Sequence, residues 1–235
     1  MSFIKSLSVL AAAALALCAS AAQAVTVNGL ANGGFEIANS AANPPGGVSY
    51  FAQGWLAAPT GNPAMLSNDA HTGAHSALLT SPNGFGGSTL FQNSIDHGGL
   101  MPLDPSNIGT APTLSFWSKG DAGTTGNVLF ALRYLDGTGT ILSGNGGNHF
   151  FQNNINPTGW SEITFQAAVI PVGTVAMFLE MNSAVGPLLD GRPNAVLIDD
   201  IRLGVLAAVP EPETYAMMLA GLGLVGVIAR RRRAV

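Results

Sequence analysis

Two apolar segments near the ends of the chain confine any folded domain to the residues between them. The first, residues 7–19, follows a single charged residue, Lys5, and is shorter than the roughly 20 residues of a spanning helix. It leads into Ala22-Gln23-Ala24, where small residues flank a cleavage point, as in a secretory signal peptide. We therefore predict a cleaved signal peptide over residues 1–24 and a mature chain that starts near Val25.

The second apolar segment, residues 215–229, has no polar face at any helical period, which excludes an ordinary amphipathic helix. At about 1.5 Å per residue it reaches roughly 22 Å. That is short of a hydrocarbon core of about 30 Å, but flanking residues and bilayer thinning can cover the gap. Four arginines follow it directly: Arg230, Arg231, Arg232 and Arg233. Because arginines keep such an end cytoplasmic, we predict a transmembrane helix with the rest of the chain outside.

The order of motifs in residues 209–235 is specific. Pro210, Glu211 and Pro212 precede the apolar segment, and the arginine cluster closes it. This series resembles the PEP-CTERM sorting signal of Gram-negative bacteria. The resemblance implies transient anchoring in the inner membrane and cleavage near Pro210 to Pro212 by an exosortase. It further implies delivery to the cell surface or extracellular matrix of a bacterium that makes exopolysaccharide.

The remaining body, residues 25–208, is acidic and contains no cysteine. It contains four basic and eleven acidic residues, which gives a net charge of −7. Such a surface suits calcium or neutral sugars better than phosphate backbones, so we expect no nucleic-acid partner. The lone cysteine, Cys18, lies in the predicted signal peptide, so the exported body has neither a disulfide nor a cysteine nucleophile.

Short runs rich in branched and aromatic residues, bounded by Gly, Asn, Asp and Pro, predict an all-β body. The predicted strands cover residues 76–80, 88–92, 113–119, 128–135, 161–165, 174–182 and 195–205. Asp136-Gly137-Thr138-Gly139 lies between two of these apolar runs and predicts a hairpin. Seven or more short strands with long Gly/Asn loops indicate a sandwich or a barrel.

Several motifs along the body occur in a recognisable order. The main ones are Asn32-Gly33-Gly34-Phe35-Glu36, Leu114-Ser115-Phe116-Trp117-Ser118-Lys119 and Ile198-Asp199-Asp200-Ile201. The series resembles the galactose-binding-like jelly rolls, especially carbohydrate-binding modules of the cellulose- and xylan-binding type. This resemblance implies a single jelly-roll β-sandwich.

The adjacent carboxylates Asp199 and Asp200 need partners, because they interrupt an otherwise apolar strand. Strict alternation places them on opposite faces of that strand. A calcium ion would satisfy them, and so would backbone N–H groups or water. The resemblance implies a structural calcium that links the first strand to the last, with Glu36 and Asp199 as ligands. Asp200 and backbone oxygens near Gly73 or His75 complete the implied set.

A sugar-binding face needs exposed aromatic rings and a few amides or carboxylates. The candidates are Trp117, Tyr134, Phe150, Phe151, Gln152 and Asn153. Trp117 faces away from Phe116 in its strand, which leaves both a core and a ligand position open for it. Trp55 and Trp160 each follow a glycine and open an apolar strand, so we predict that both lie in the core.

The sequence predicts a protein that is not an enzyme. His71 and His75 are four residues apart, but Gly73 between them argues against the helix that a zinc site of this spacing needs. Glu162 and Glu180 look isolated, and no G-x-S-x-G elbow or P-loop occurs. We therefore expect an exported protein that associates with extracellular polysaccharide. The alternatives are a structural surface protein that packs against other copies and binds no sugar, and a glycan-processing hydrolase.

Overall fold

The computed structural model describes residues 26–40, 42–43, 47–59, 62–81, 87–93, 99–121, 126–142, 148–151, 154–183, 194–206 and 221–222. The chain divides into two units, Thr26–Leu206 and a second one made of Met1–Val25 and Ala207–Val235. The predicted signal peptide, the Pro-Glu-Pro motif, the arginine cluster, Gln152 and Asn153 all lie outside the described residues. Within the described ranges, no helix is apolar and long enough to span a bilayer.

The described residues of the unit Thr26–Leu206 form two antiparallel sheets and a short 3-10 helix, so the predicted all-β sandwich is confirmed. In chain order the strands are β1 (Thr26–Asn28), β2 (Ser49–Ala52), β3 (Trp55–Ala57), β4 (Met65–Ser67), β5 (Ser76–Ser81), β6 (Thr89–Asn93), β7 (Thr113–Gly120), β8 (Val128–Leu135), β9 (Asn148–Phe151), β10 (Ser161–Gln166), β11 (Ala176–Asn182) and β12 (Asn194–Leu206). The 3-10 helix, Pro105–Asn107, precedes β7.

The two sheets differ in strand order. The first sheet runs β10-β7-β12-β5-β4, and β1 pairs with the C-terminal part of β12. The second sheet runs β2-β3-β6-β11-β8-β9. All seven predicted strands are present, with ends that differ from the prediction by no more than two residues. The hairpin at residues 136–139 is also confirmed, since Leu135 and Ile141 pair across it.

The core lies between the sheets and follows the alternation of side chains along each strand. Phe116 of β7 stacks on Phe130 of β8, with ring centroids 4.3 Å apart. Trp55 is fully buried, as predicted. Tyr134 is fully buried as well, and its hydroxyl donates a hydrogen bond to the carbonyl of Ala168 at 2.6 Å.

A β-bulge interrupts β12 and changes the face of every residue after it. The register with β7 shifts between Asp199 and Arg202, and Asp200 has a positive φ of 48°. Because the bulge adds one residue, Ile198 and Ile201 both point into the core. The prediction that the two aspartates face opposite sides of a regular strand is therefore wrong. Both carboxylates leave the core and reach the same loop.

Candidate functional site

Three carboxylates, Glu36, Asp199 and Asp200, form what we call the carboxylate cluster. Asp199 is fully buried, and its Oδ2 accepts hydrogen bonds from the backbone N–H groups of His71 (2.8 Å) and Thr72 (3.2 Å). Its Oδ1 accepts the N–H of Asp200 at 2.7 Å. Burial raises the pKa of Asp199, and these three backbone hydrogen bonds act against that rise.

Asp200 contacts the same loop through side chains. Its Oδ2 lies 2.7 Å from Nδ1 of His71, and the hydroxyl of Thr72 donates to the carboxylate at 2.9 Å. Because the bulge sets Asp200 in a left-handed conformation, its side chain can stay beside that of Asp199. The last strand is thus attached to the loop that precedes β5.

Glu36 holds the other half of that loop. Its Oε1 accepts the N–H groups of Ala74 (2.9 Å) and His75 (2.8 Å). Gly73 lies between the two halves with φ of 68°, and a Cβ there would meet Glu36 Oε1 at 2.4 Å. Only glycine fits this close approach. Glu36 and Asp199 therefore fasten the opening segment and the last strand to residues 71–75, which places the residues of the implied calcium set close together.

The donor set fits calcium only in part. The structure gives each carboxylate N–H or O–H partners, which is the metal-free arrangement that the sequence left open. Among the described residues, no three His, Cys, Asp or Glu side chains converge as metal ligands. Both aspartates approach Gly34, however, where a Cβ would be in van der Waals contact, at 3.5 Å, with Oδ1 of Asp199 and of Asp200. Any cation here would need Glu36, Asp199, carbonyl oxygens and water together.

Aromatic side chains border the carboxylate cluster on the outer face of the first sheet. The His71 ring stacks on Trp117, with centroids 3.7 Å apart and an interplanar angle of 9°. Trp160 lies 5.9 Å from His71, and the Lys119 ammonium lies 5.5 Å from the Trp160 ring centroid. Lys119 also pairs with Asp69. Trp160 is therefore half-buried on this outer face and does not belong to the core, contrary to prediction.

The predicted sugar-face residues do not form one surface. Trp117 is half-buried under His71 on the first sheet, whereas Phe150 lies on the second sheet and is 43% exposed. Tyr134 cannot stack on a sugar, because it belongs to the core. Phe151 packs against the core as well. These two assignments were wrong because apolar residues occur on both faces of β8, which hides its core face, and because β9 was not predicted.

A second group of residues, which the sequence analysis missed, lies on the outer face of the second sheet. We call it the second-sheet face and define it by five side chains: Phe91, Arg133, Phe178, Glu180 and Asn182. Arg133 Nη2 donates to Glu180 Oε2 at 3.2 Å, and Asn182 Nδ2 donates to Glu180 Oε1 at 2.8 Å. The rings of Phe91 and Phe178 stack beside them with centroids 5.3 Å apart. Glu180 is therefore not isolated, contrary to prediction.

Two apolar side chains in the middle of the second-sheet face are buried. Leu56, Phe91, Glu180 and Ala131 form one row across four strands. Leu56 and Ala131 are buried although neither belongs to the core cluster. The alternation of Phe178, Glu180 and Asn182 in β11 was the available sequence signal. That alternation could not show that Arg133 of β8 lies opposite Phe178 and reaches Glu180.

Comparisons with known proteins support the sorting signal directly. Residues 208–233 match the family model of the PEP-CTERM protein-sorting motif, which confirms the predicted signal. This motif implies export and membrane-anchored sorting before exosortase cleavage. No curated protein matches the chain.

Among solved structures, the body is similar to carbohydrate-binding modules. One is the CBM22-1 xylan-binding domain of Paenibacillus barcinonensis Xyn10C, with 15% identity, a TM-score of 0.48, and coverage of 81% of this chain and 100% of that one. Another is the C-terminal family 22 module of Clostridium thermocellum Xyn10B, with 18% identity, a TM-score of 0.41, and coverage of 72% and 100%. The enzymatically active domain of bacteriophage CBA120 tailspike protein 4 has 17% identity and a TM-score of 0.49. The match covers 77% of this chain but only 22% of that domain.

Proposed function

We propose that this protein is an exported, non-catalytic surface or matrix protein whose sandwich binds a neutral extracellular polysaccharide. Exosortase processing delivers it, and the second-sheet face binds the glycan. One observation carries the assignment to this face: Glu180 is held between Arg133 and Asn182 directly beside the stacked Phe91–Phe178 pair.

This combination suits a sugar ring. The apolar C–H face of a sugar packs on aromatic rings, while guanidinium and amide N–H groups donate to its hydroxyls and a carboxylate accepts from them. The Arg133–Glu180 pair is partly exposed, with side chains 31% and 22% accessible. Since neighbours already hold these groups in place, binding a sugar orders few side chains. The acidic charge of the body favours neutral over anionic glycans.

Binding to insoluble and soluble polysaccharides tests the proposal. Glu180→Gln and Phe178→Ala in the chain without its signal peptide should weaken glycan binding at least tenfold. Glu162→Gln is the matched control, because Glu162 is exposed on the first sheet. Trp117→Ala, on the first sheet, tests which of the two sheets binds the glycan. It should leave glycan binding unchanged. If the Trp117→Ala variant lost glycan binding while the Glu180→Gln variant kept it, the site would lie on the first sheet instead.

We also propose that a calcium ion joins the carboxylate cluster and fastens the opening segment to the last strand. The support is twofold: Oδ1 of Asp199 and Oδ1 of Asp200 approach the same point beside Gly34, and Oε2 of Glu36 accepts none of the described hydrogen bonds. Calcium should raise the melting temperature and a chelator should reverse the rise. Glu36→Gln and Asp199→Asn should abolish the response, while Asp69→Asn, at an exposed carboxylate outside the cluster, should retain it. An unchanged midpoint with and without chelator would remove the metal from the proposal.

One observation favours the structural alternative, in which copies of the sandwich pair and no glycan binds. The edge strand β4 exposes Met65 (49%) and Leu66 (46%), and an exposed apolar edge strand is a surface for pairing. Replacing Leu66 by Lys should disperse assemblies of the chain if this alternative holds. Under the glycan-binding proposal the same variant keeps its affinity for polysaccharide.

A further inference from the structure

The end of the sandwich at which β12 finishes carries a group of exposed apolar side chains. Backbone hydrogen bonds join the loop after β10 to the loop before β7, from Ala167 N to Pro112 O and from Ile170 N to Thr110 O, both at 2.8 Å. Thr113, next along the chain, lies opposite Gly204 of β12. The loop after β10 and the last residues of β12 therefore share one end of the sandwich.

We call the exposed apolar group the apolar rim. It comprises Ile141 (47% exposed), Val169 (54%), Val172 (85%) and Val175 (57%). Val175 N donates to Leu135 O at 2.9 Å, and Leu135 pairs with Ile141, so the hairpin joins the same end. A group of exposed apolar side chains at one end of a domain is typical of a surface that meets another protein or a membrane.

Val172 is the tip of the apolar rim, and its loop is ordered before any partner arrives. Thr174 donates twice to the carbonyl of Pro171, from its N–H at 3.3 Å and its hydroxyl at 2.8 Å. Gly173 has a φ of 90°, which closes the turn. Since the turn is preformed, little backbone entropy is lost when Val172 is buried.

The chain leaves the sandwich at this same end from a fixed point. The buried side-chain amide of Asn107 accepts Leu206 N at 2.8 Å and donates to Leu206 O at 3.0 Å, and Thr26 pairs with Leu206 from the other side. Eight residues separate Leu206 from Tyr215, where the apolar segment of the sorting motif begins. Fully extended, this connection spans about 30 Å at 3.3–3.6 Å per residue.

We propose that the apolar rim rests on the lipid surface of the inner membrane while the sorting segment still anchors the chain. The connection to the sorting segment leaves the sandwich at this end, where Asn107 and Thr26 hold Leu206. The rim side chains are aliphatic, which suits the boundary of the acyl chains. Two acids at this end, Asp104 and Asp136, predict closer contact with zwitterionic than with anionic lipid.

A single cysteine reporter tests the contact, because the chain from residue 25 to 235 has no cysteine of its own. Val172→Cys carries an environment-sensitive fluorophore in phosphatidylcholine vesicles into which the sorting segment is inserted. The matched control is Asn154→Cys, an exposed position after β9, at the opposite end of the sandwich. We expect a blue-shifted emission and at least threefold weaker quenching by aqueous iodide at position 172 than at position 154.

A further variant tests whether the apolar rim causes the protection of position 172 from iodide. Val169→Asp with Val175→Asp should remove the shielding at position 172 while leaving the melting temperature unchanged, since both side chains are more than half exposed. Adding phosphatidylglycerol should reduce the shielding. Equal quenching at positions 172 and 154 would overturn the proposal. Shielding that grows with the protein-to-lipid ratio would also overturn it, in favour of a second copy covering the rim.

Discussion

Replacing Gly73 by alanine tests whether the carboxylate cluster fastens the sandwich. The alanine keeps a left-handed φ of 68°, which costs about 1 kcal/mol or slightly more for a residue with a Cβ. That Cβ would lie 2.4 Å from Oε1 of Glu36, so the carboxylate must move away. Glu36 then loses its hydrogen bonds to Ala74 and His75, at about 1 kcal/mol each.

The expected total is about 3 kcal/mol, or a fall in melting temperature of about 6–12 °C for a domain of this size. Gly109→Ala is the matched control. Gly109 has a φ of 83°, and a Cβ there meets nothing within 4 Å. This control measures the backbone strain alone, about 1 kcal/mol and roughly 2–4 °C.

A double-mutant cycle isolates the contribution of Glu36, measured by thermal and urea unfolding. With Glu36→Ala already present, Gly73→Ala should cost only the strain measured at Gly109. The reasoning fails if Gly73→Ala and Gly109→Ala destabilise equally. It also fails if the cost at Gly73 is undiminished after Glu36 is removed, because the clash would then not act through the carboxylate.

Three further results are expected. Asn107→Ala should cost about 2 kcal/mol, since two buried hydrogen bonds to Leu206 are lost, and should speed amide exchange at Leu206; exchange that stays slow would contradict this role. Tyr134→Phe should lower stability by about 1 kcal/mol and leave glycan binding unchanged, because the ring is in the core; a loss of binding would return Tyr134 to the sugar site. The hydroxyl of Thr138 lowers the pKa of Asp136, so the stability that Asp136 contributes is present above pH 3.8 and is lost as the pH falls through its folded-state pKa. In an NMR titration Thr138→Val should raise that pKa.

The strands that could be predicted are those whose own side chains favour an extended conformation. The strands β7 and β11 are rich in branched and aromatic residues and end at glycine, asparagine or proline signals. The strands β1, β3 and β4 have three residues each, too few for any period, and exist because a neighbour pairs with them. The strand β9 follows a long Gly/Asn stretch and is likewise defined by its pairing with β8.

The carboxylate cluster could be predicted as a set of residues but not as a geometry. Asp199 and Asp200 were recognisable because paired charges in an apolar strand need partners. Their shared direction depends on a bulge in which a residue other than glycine takes a positive φ, and no local signal indicates that choice. The second-sheet face was missed for another reason. Arg133 and Glu180 are 47 residues apart, and only the register of β8 with β11 brings them together.

The strand β12 links the carboxylate cluster to the segment that leads into the sorting motif. It lies inside the first sheet between β7 and β5, and the carboxylate cluster ties its bulge to the opening segment and to residues 71–75. Asn107 and Thr26 hold its last residue, Leu206, and the sorting motif starts at residue 208. The end of β12 from which the sorting motif follows is thus held both by strand pairing and by buried hydrogen bonds. The second-sheet face belongs to the other sheet, so the proposed glycan site does not overlap with the contacts that hold β12.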